Sequence, residues 1–432
     1  MPVQSVNHRG SANQGRARPG RPTPAACALL CGGLMSLPAA AQVDYSFLSQ
    51  TAPLPRYQTP DPARYNLKWG KLSARLSASV QTEFSDNINL SQDHPKADLS
   101  IGPQVGVGFV FPISQANVLH LDLGVGYRWY VNSPSINSIN VVPSTILEHN
   151  LFVRDVHINF HDSLTVQVDP ASRPELSGGQ NSLILFRRLV NRLGLMGDWR
   201  ATQRLTFLAG YDYSIDRSLT PEFKQLDLNA HTFLAGSDYA VNPHWNLGVH
   251  GTYTLTDYLE RYQNNSSGYT LGPVVTFRPK QTLTFTASVG YTVSQYAQTG
   301  LVTDRSEYAG ITYQLGIQQK VNTRFTHDLR VGRSIDPGFG SNFTDIWDAQ
   351  YGLHRRLTSA ITLNVTLGYQ YFAASGLGGE KATRYMGFVG TSYQLSRMWQ
   401  LAFGYSFVRK DSDRWGMNYT QNRFTLDATR QF

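Results

Sequence analysis

Apolar and polar residues alternate along most of the chain from residue 71 to the C-terminus. In the first such run, Leu72, Leu76 and Phe84 belong to an apolar set at even positions, and serine, arginine, glutamine and glutamate fill the odd ones. A repeat of two residues is the period of a β-strand, whereas a helix repeats every 3.6 residues. The pattern therefore predicts a chain built almost entirely of strands, each with one apolar and one polar face.

Eighteen runs of this kind occur before the chain ends. Arg154 and the Arg187-Arg188 pair disturb the alternation in the fourth to sixth runs. The predicted strands are 72–84, 99–111, 119–129, 147–160, 163–169, 184–199, 204–215, 226–241, 245–257, 268–278, 282–294, 306–320, 324–335, 344–357, 361–372, 383–396, 399–408 and 418–432.

The segments between the runs alternate in length. Short turns are predicted at 112–117, 161–162, 200–203, 242–244, 279–281, 321–323, 358–360 and 396–398. Longer and more polar loops are predicted at 85–98, 132–146, 170–183, 216–225, 256–267, 295–305, 336–343, 373–382 and 409–417. Short turns at one end and longer loops at the other are typical of transmembrane β-barrels, in which the turns are periplasmic and the loops extracellular.

The strands are long enough to cross a bilayer, which takes about 9–11 residues. Hydrocarbon cannot satisfy backbone N–H and C=O groups, so a sheet in lipid must close on itself. We therefore predict an all-β fold, a single antiparallel up-and-down barrel of about 18 strands (16–18), with the aliphatic face towards lipid and the polar face around an aqueous interior. A soluble sandwich or propeller is the alternative that the alternation leaves open.

Two further features favour the membrane barrel. The last strand, 418–432, ends on Phe432. Aromatic residues also recur at both strand ends, where a membrane interface would place them. One set follows a glycine and includes Tyr127, Tyr211, Tyr253, Tyr291, Tyr369 and Tyr405, and the other lies near the short turns and comprises Trp199, Tyr239, Trp245, Phe277 and Trp399.

In these features the chain resembles bacterial outer-membrane β-barrel porins of the putative β-barrel porin families and, more distantly, alginate-export barrels. The resemblance covers residues 71–432 and rests on the alternation, the Gly-Tyr strand ends and Phe432. It implies a channel for passive passage of small hydrophilic solutes. A dedicated export barrel for exopolysaccharide, or a surface-structure or adhesin scaffold, is the alternative. The resemblance also implies contact with outer-membrane lipid and lipopolysaccharide, and recognition of Phe432 by the barrel-assembly machinery. A homo-oligomer is one option.

Residues 1–41 have the features of a cleaved signal peptide. Basic residues without any acidic one precede a short apolar stretch and an alanine-rich cleavage site at Ala39–Ala41. Both cysteines, Cys27 and Cys31, fall within it, so the mature chain is predicted to have neither disulfides nor thiolate chemistry. Four arginines go with the segment, which roughly halves the formal charge of +8 and argues against a nucleic-acid partner. Residues 42–70, rich in proline, are predicted to be a periplasmic lead-in or a plug for the lumen.

The polar faces supply the candidate functional residues. Those predicted to line the pore are Arg75, Glu83, Asp122, Arg128, Arg188, Arg192, Asp198, Asp212, Lys320, Asp328, Arg330, Asp348, Arg356, Arg423 and Asp427. Their charges nearly balance, which favours a network of pairs that stiffens the wall over a ring of one sign. An alternative is a basic ladder for anions formed by Arg188, Arg192, Arg128 and Arg356.

The sequence offers no catalytic or cofactor motif. Its histidines lie on different predicted strands, without the local Ser or Asp partners of an active site, and no metal-ligand spacing or phosphate-binding loop occurs. We therefore expect no enzyme activity, no cofactor and no metal. No loop exceeds about 15 residues, so the sequence predicts either a wide pore or one filled by another segment, for which 43–70 is the candidate.

Overall fold

The computed structural model describes residues 65, 67–114, 116–141, 145–168 and 187–432. Within them the chain forms twenty strands and two short 3-10 turns, Pro134–Ile136 and Pro221–Leu226. The strands are β1 (Leu67–Trp69), β2 (Leu72–Ser85), β3 (Asp98–Ser114), β4 (Asn117–Tyr130), β5 (Ser138–Val141), β6 (Ile146–Val153), β7 (Val156–Val168), β8 (Arg187–Arg200), β9 (Leu205–Ser218), β10 (Leu228–Ala240), β11 (Trp245–Tyr258), β12 (Ser266–Lys280), β13 (Leu283–Tyr296), β14 (Tyr308–Asn322), β15 (Phe325–Pro337), β16 (Phe343–Arg356), β17 (Ile361–Ala374), β18 (Lys381–Gln394), β19 (Trp399–Ser412) and β20 (Tyr419–Gln431).

The strands form one closed antiparallel sheet. Each long strand pairs with its neighbours in the chain, and β20 pairs back onto β2 from Ser77↔Gln431 to Ser85↔Arg423. Strands β5 and β6 both pair with β4 and β7, so together they fill one position in the wall. The short β1 pairs only with the start of β2. The wall therefore has the eighteen strand positions that the alternation predicts, and in the described part of the chain each of these positions is paired on both sides.

One predicted turn was wrong. The sequence favoured a turn at His161-Asp162, but both residues lie inside β7. The hairpin instead turns at Arg154-Asp155, between the paired residues Val153 and Val156, with Arg154 at a φ of 54°. Positive φ at a non-glycine residue is uncommon, so this tight turn could not be recognised from residue type. The fourth and fifth predicted strands are therefore shifted, and much of the predicted loop 132–146 is occupied by β5 and a 3-10 turn.

The barrel places its polar side chains inside and its apolar side chains outside. Exposed large apolar residues are numerous and lie at alternate positions, as Leu123, Val125 and Tyr127 do on β4. Buried polar and charged residues outnumber buried apolar ones among the described residues. This is the reverse of a water-soluble protein, whose core is apolar. The faces agree with those predicted from the sequence.

The aromatic residues near the short turns form a belt on the outer face. Trp245 stacks on Phe277 with ring centroids 4.1 Å apart, and Phe277 stacks on Phe285 at 5.9 Å. Trp199 stacks on Phe207 at 5.7 Å on the same outer face. The tyrosines of the Gly-Tyr pairs also face outwards, but several lie nearer mid-strand than the sequence analysis placed them. The belt is the arrangement that a membrane interface favours.

Several predictions fall outside the described residues. They are the signal peptide 1–41, most of the lead-in 42–70 and the loop 170–183. Of the lead-in, Tyr65 and residues 67–70 are described, and 67–69 form β1. In the described part of the chain, no helix has the length and apolar character needed to cross a membrane.

Candidate functional site: the polar lumen

All fifteen residues predicted to line a pore lie at inward positions of their strands. The alternation of side chains and the strand register fix this placement. For example, Glu83 pairs with Thr425 across the seam and faces away from the exposed Phe84. The strand register determines which side of the wall each residue faces. The contacts of each side chain determine whether its charge is available to a solute in the lumen.

Three of the predicted cations are neutralised by neighbouring carboxylates. Arg75 Nη2 lies 3.2 Å from Asp122 Oδ1 across β2, β3 and β4. Arg128 Nη1 lies 3.5 Å from Glu83 Oε2, and its Nη2 donates to Gln81 Oε1 at 2.7 Å. These half-buried pairs connect β2 with β4, which are not neighbours in the sheet.

The Arg188 guanidinium is held by Asp216, to which its Nε donates at 2.9 Å and its Nη2 forms a second contact. This two-point geometry is the strongest form of an arginine–carboxylate pair. The basic ladder proposed from sequence therefore contains two neutralised members, Arg188 and Arg128. Arg192 and Arg356 have no ion pair with any described residue.

The remaining predicted residues are more loosely held. Arg330 lies 3.7 Å from Asp328 on the same strand, and half of its side chain is exposed. Arg423 Nε donates to Ser406 at 3.3 Å, and Asp427 accepts from Thr429 at 2.7 Å. Lys320 is exposed at the short-turn end of β14. The structure therefore does not bring the fifteen residues together into one site. They are spread around the wall.

Histidines form the part of the lumen that the sequence analysis missed. Six inward side chains make a continuous hydrogen-bonded chain across four strands, namely Asp198, His157, Asn150, Asn159, His161 and Asp212. At one end, His157 Nδ1 lies 2.7 Å from Asp198 Oδ2. At the other, His161 Nε2 lies 2.9 Å from Asp212 Oδ1. These histidines seemed scattered because strand pairing joins residues up to 51 positions apart.

Gly194 makes the last of these bonds possible. It lies on β8 directly between His161 on β7 and Asp212 on β9 in the strand register. A Cβ on Gly194 would stand 2.0 Å from Asp212 Oδ1 and 2.3 Å from His161 Nε2. The glycine therefore lets a histidine and a carboxylate from the two flanking strands meet across its backbone.

The loop between β2 and β3, residues 86–97, folds against the inner wall. Leu90 is almost fully buried and packs with the inward side chains of Met386, Val408 and Tyr419. Asn87 supports this position by donating to Thr420 O at 2.9 Å and to Ser91 O at 2.8 Å. The sequence analysis expected no loop long enough to narrow the channel, but this one enters the barrel because its apolar tip finds apolar partners on β18–β20.

A second group of loops is organised by Asp304. Its Oδ2 accepts hydrogen bonds from Asn342 N at 2.9 Å and from Ser375 Oγ at 2.5 Å, and its Oδ1 accepts from Ser306 N at 2.8 Å. Partial burial acts to raise the pKa of Asp304, but these hydrogen bonds prevail and hold it below the ordinary value of 3.8. The carboxylate thus ties together the loops after β13, β15 and β17.

The most deeply buried ion pair is also at this end of the barrel. Lys410 is completely buried and its Nζ lies 2.8 Å from Glu380 Oε1, which also accepts from Ser412 Oγ. Lys410 pairs in register with Arg384, and Arg384 donates to Gln370 at 3.2 Å. Lys410 and Arg384 are inward residues of their strands but have almost no exposed surface, so they stabilise the wall and are not available to a passing solute.

Tyr65, from the predicted lead-in, contacts the lumen near the short turns. Its hydroxyl lies 3.0 Å from His120 Nε2, whose ring also contacts Asp122 at 3.0 Å. The Arg75 guanidinium lies 5.8 Å from the centre of the Tyr65 ring. Tyr65 is thereby buried among inward residues of β2 and β4. Among the described residues no group of His, Cys, Asp or Glu side chains is arranged to hold a metal ion.

Comparison with solved structures finds porins of Pseudomonas aeruginosa. OpdK crystallised with vanillate is 13% identical over 83% of this chain and 99% of its own, with a TM-score of 0.46. OccK2 (OpdF) in complex with glucuronate is 11% identical over 83% and 98%, with a TM-score of 0.46. OccK5 (OpdH) is 12% identical over 83% and 98%, with a TM-score of 0.45. These values are too low to carry over what those proteins bind. A search of curated protein sequences found no match.

The family comparison is more specific. The model of the family described as Putative beta-barrel porin 2 matches residues 186–432, which is more than half of the chain. The matched region begins just before β8 and includes every later strand, the Asp304 loops and the closing strand β20. With its closed wall, apolar outer face and polar lumen, the chain belongs to this family of outer-membrane β-barrel porins.

Proposed function

We propose that this protein is a porin-like channel through which small hydrophilic solutes diffuse across the bacterial outer membrane. The observation that carries the proposal is the inversion of the wall, with polar side chains turned to the lumen and apolar ones to the outside over all eighteen strand positions. A wall of this number of strands leaves an aqueous space that side chains cannot fill. A hydrated solute can exchange water for the hydroxyl, amide and charged groups that line it.

The loops set the size of what passes. Leu90 and its partners on β18–β20 cover one side of the loop-side mouth, and the Asp304 loops cover another. The two groups are fixed by buried contacts and not by solvent-exposed ones. Passage is therefore restricted to small solutes, and the restriction is at the mouth where the long loops meet.

The charged side chains that line the lumen support passage of both cations and anions. Arg75, Arg128 and Arg188 are each neutralised by a carboxylate, so they contribute little net field to the channel. Arg192 and Arg356 are the ladder members that would still act on a passing anion. We propose a weakly selective channel whose remaining preference depends on these two arginines.

We propose that residues 1–41 direct export and are cleaved, and that Phe432 presents β20 to the barrel-assembly machinery. The amide of Phe432 donates to Leu76 O at 2.9 Å, so this residue lies at the seam between β2 and β20. The contact of Tyr65 with His120 supports a lead-in that enters the barrel from the short-turn end. Deleting residues 42–64 should raise single-channel conductance if the lead-in narrows the lumen.

Planar-bilayer recording combined with liposome swelling tests the channel. The refolded chain should give ohmic steps, and swelling rates should fall steeply as solute size increases. A variant in which Leu90 is replaced by Ser should release loop 86–97 and raise both conductance and the size limit, while the control Leu377→Ser, at a fully exposed loop position, should not. Protein that inserts into membranes yet passes no ion or sugar would refute the channel.

A further inference from the structure

One acidic side chain lies on the outer face in the middle of the wall. Asp162 on β7 pairs in register with Leu147 and Leu193, and Leu193 is an exposed outward residue. Its neighbours on the same face of β7 are Phe160 and Leu164. Asp162 is six residues from either end of the strand. It therefore lies where the apolar band of a transmembrane barrel is expected.

No other charged residue of the described outer face lies so deep. Each of the others is within four residues of a strand end, and the deepest, Arg333, is four residues from Pro337. Arg333 also forms an ion pair with Asp345 at 2.7 Å, next to the loops where headgroups and water are close. The position of Asp162 is thus an exception to the rule that the rest of the wall obeys.

Asp162 is only partly satisfied by the barrel itself. Asn191 on β8 donates from Nδ2 to Asp162 Oδ1 at 2.6 Å and to Ser163 O at 3.1 Å. No described residue donates to Asp162 Oδ2 or to Asn191 Oδ1. Lipid chains offer no donor, and an unsatisfied polar group in hydrocarbon costs several kcal/mol. The pair therefore needs a polar partner at the same depth.

The wall is also irregular beside this pair. Val141 of β5 pairs with Val166 of β7, whereas Ile146, the first residue of β6, pairs with Ser163. β7 therefore changes its partner strand from β6 to β5 between Ser163 and Val166. Leu164, a neighbour of Asp162 on the same face, lies at this change of partner, and its amide donates to Thr145 O at 3.2 Å.

We propose that two copies of this chain associate through the outer face of β6–β8, with Asp162 and Asn191 at the centre of the contact. Copies in one membrane are related by an axis along the membrane normal, so a given depth on one copy meets the same depth on the other. Around a two-fold axis, Asn191 of each copy faces the partner's Asp162. The Asn191 side-chain N–H that donates to Ser163 O in the single chain then donates to the partner's Asp162. Each Asp162 carboxylate thus accepts from the Asn191 amide of its own chain and from that of the partner.

The surroundings suit such a contact. Phe160, Leu193 and Leu195 are exposed apolar side chains around the polar centre. Apolar residues around a satisfied polar pair give both packing and register to an interface between membrane proteins. A second copy supplies donors at this depth, whereas a lipid molecule supplies only apolar chains there. The partner that fits this face is therefore another barrel.

Cysteine cross-linking in lipid vesicles tests the interface directly. The two cysteines of the chain lie in the predicted signal peptide, so single cysteines can be introduced into an otherwise cysteine-free mature chain. Leu193→Cys should form a covalent dimer on mild oxidation. Leu315→Cys, an exposed leucine on the outer face of β14, is the matched control and should stay monomeric. Equal cross-linking at the two positions would overturn the proposal.

A second variant separates association from folding. In the Leu193→Cys background, Asp162→Leu with Asn191→Leu should reduce the yield of covalent dimer at least tenfold. The monomeric barrel should unfold at the same or a higher urea concentration, because a lipid-facing carboxylate has been removed. A dimer that survives this double substitution, or a wild-type chain that sediments as a monomer at every protein-to-lipid ratio, would show that a second copy does not cover this face.

Discussion

Replacing Gly194 with alanine should break a specific bond inside the barrel. The added Cβ would lie 2.0 Å from Asp212 Oδ1 and 2.3 Å from His161 Nε2. Since both atoms are at the ends of side chains, the backbone can stay in place while the imidazole and carboxylate move apart. The substitution therefore removes the His161–Asp212 hydrogen bond without creating a cavity or breaking the strand ladder.

The expected magnitude follows from two opposing effects. A hydrogen bond to a charged group contributes about 1.5–3 kcal/mol. Alanine in a strand is favoured over glycine by roughly 0.5–1 kcal/mol, because glycine loses more conformational freedom on folding. The side chains of His161 and Asp212 are 18% and 10% exposed, so water only partly replaces the lost bond. We expect the free energy of unfolding to fall by about 1–2 kcal/mol.

The chain supplies its own control for this experiment. Gly197 is on the same strand and faces outwards, and a Cβ there would meet nothing closer than 3.9 Å. Urea unfolding in lipid vesicles, followed by tryptophan fluorescence, should show Gly197→Ala neutral or slightly stabilising and Gly194→Ala destabilising. The effect of Gly194→Ala should also largely disappear when His161 is already alanine. Equal effects of the two glycine substitutions would refute the reasoning.

Three more outcomes are expected. Because hydrogen bonds lower the pKa of Asp304, this carboxylate should stabilise the loops above its ordinary pKa of 3.8. That stabilisation should be lost as the pH falls through the lower pKa of the folded state. In limited proteolysis, the loops of Asp304→Asn should be cleaved faster than those of the wild type at pH 7 but no faster at pH 2. Arg188→Ser should destabilise the barrel in urea because Asp216 loses its partner, whereas Arg192→Ser should leave stability unchanged. In bilayer recordings at low salt, Arg192→Ser should shift the reversal potential towards cation selectivity; unchanged permeability in both arginine variants would remove the basic ladder.

The strand alternation was enough to predict the faces of the wall. The alternation predicts the faces because a strand in a closed membrane barrel has lipid on one side and water on the other. Each residue must therefore be either apolar towards lipid or polar towards the lumen. The fourth and fifth strands show its limit. His161, Asp162 and Ser163 are three polar residues in succession, and such a cluster is usual in turns. In this barrel Asn159 and His161 are bonded in the lumen and Asp162 is on the outer face.

Contacts between distant strands could not be predicted in this way. The hydrogen-bonded chain from Asp198 to Asp212 depends on register, which a single strand does not encode. The inward fold of Leu90 likewise depends on an apolar recess formed by three strands near the other end of the sequence. Composition and spacing were enough to predict the strands of the wall, whereas the side chains that line the mouth of the channel are set by tertiary packing.

The seam between β2 and β20 constrains the order of assembly. Asp86 accepts from Asn422, and Asn87 donates to Thr420, across more than 330 residues of chain. Every hairpin can form from local sequence, but this junction needs both extremes of the wall at once. A sheet that lacked its last strand would carry two unpaired edges in a medium that cannot hydrate them, so the pairing of β2 with β20 is the contact that satisfies the backbone of both strands.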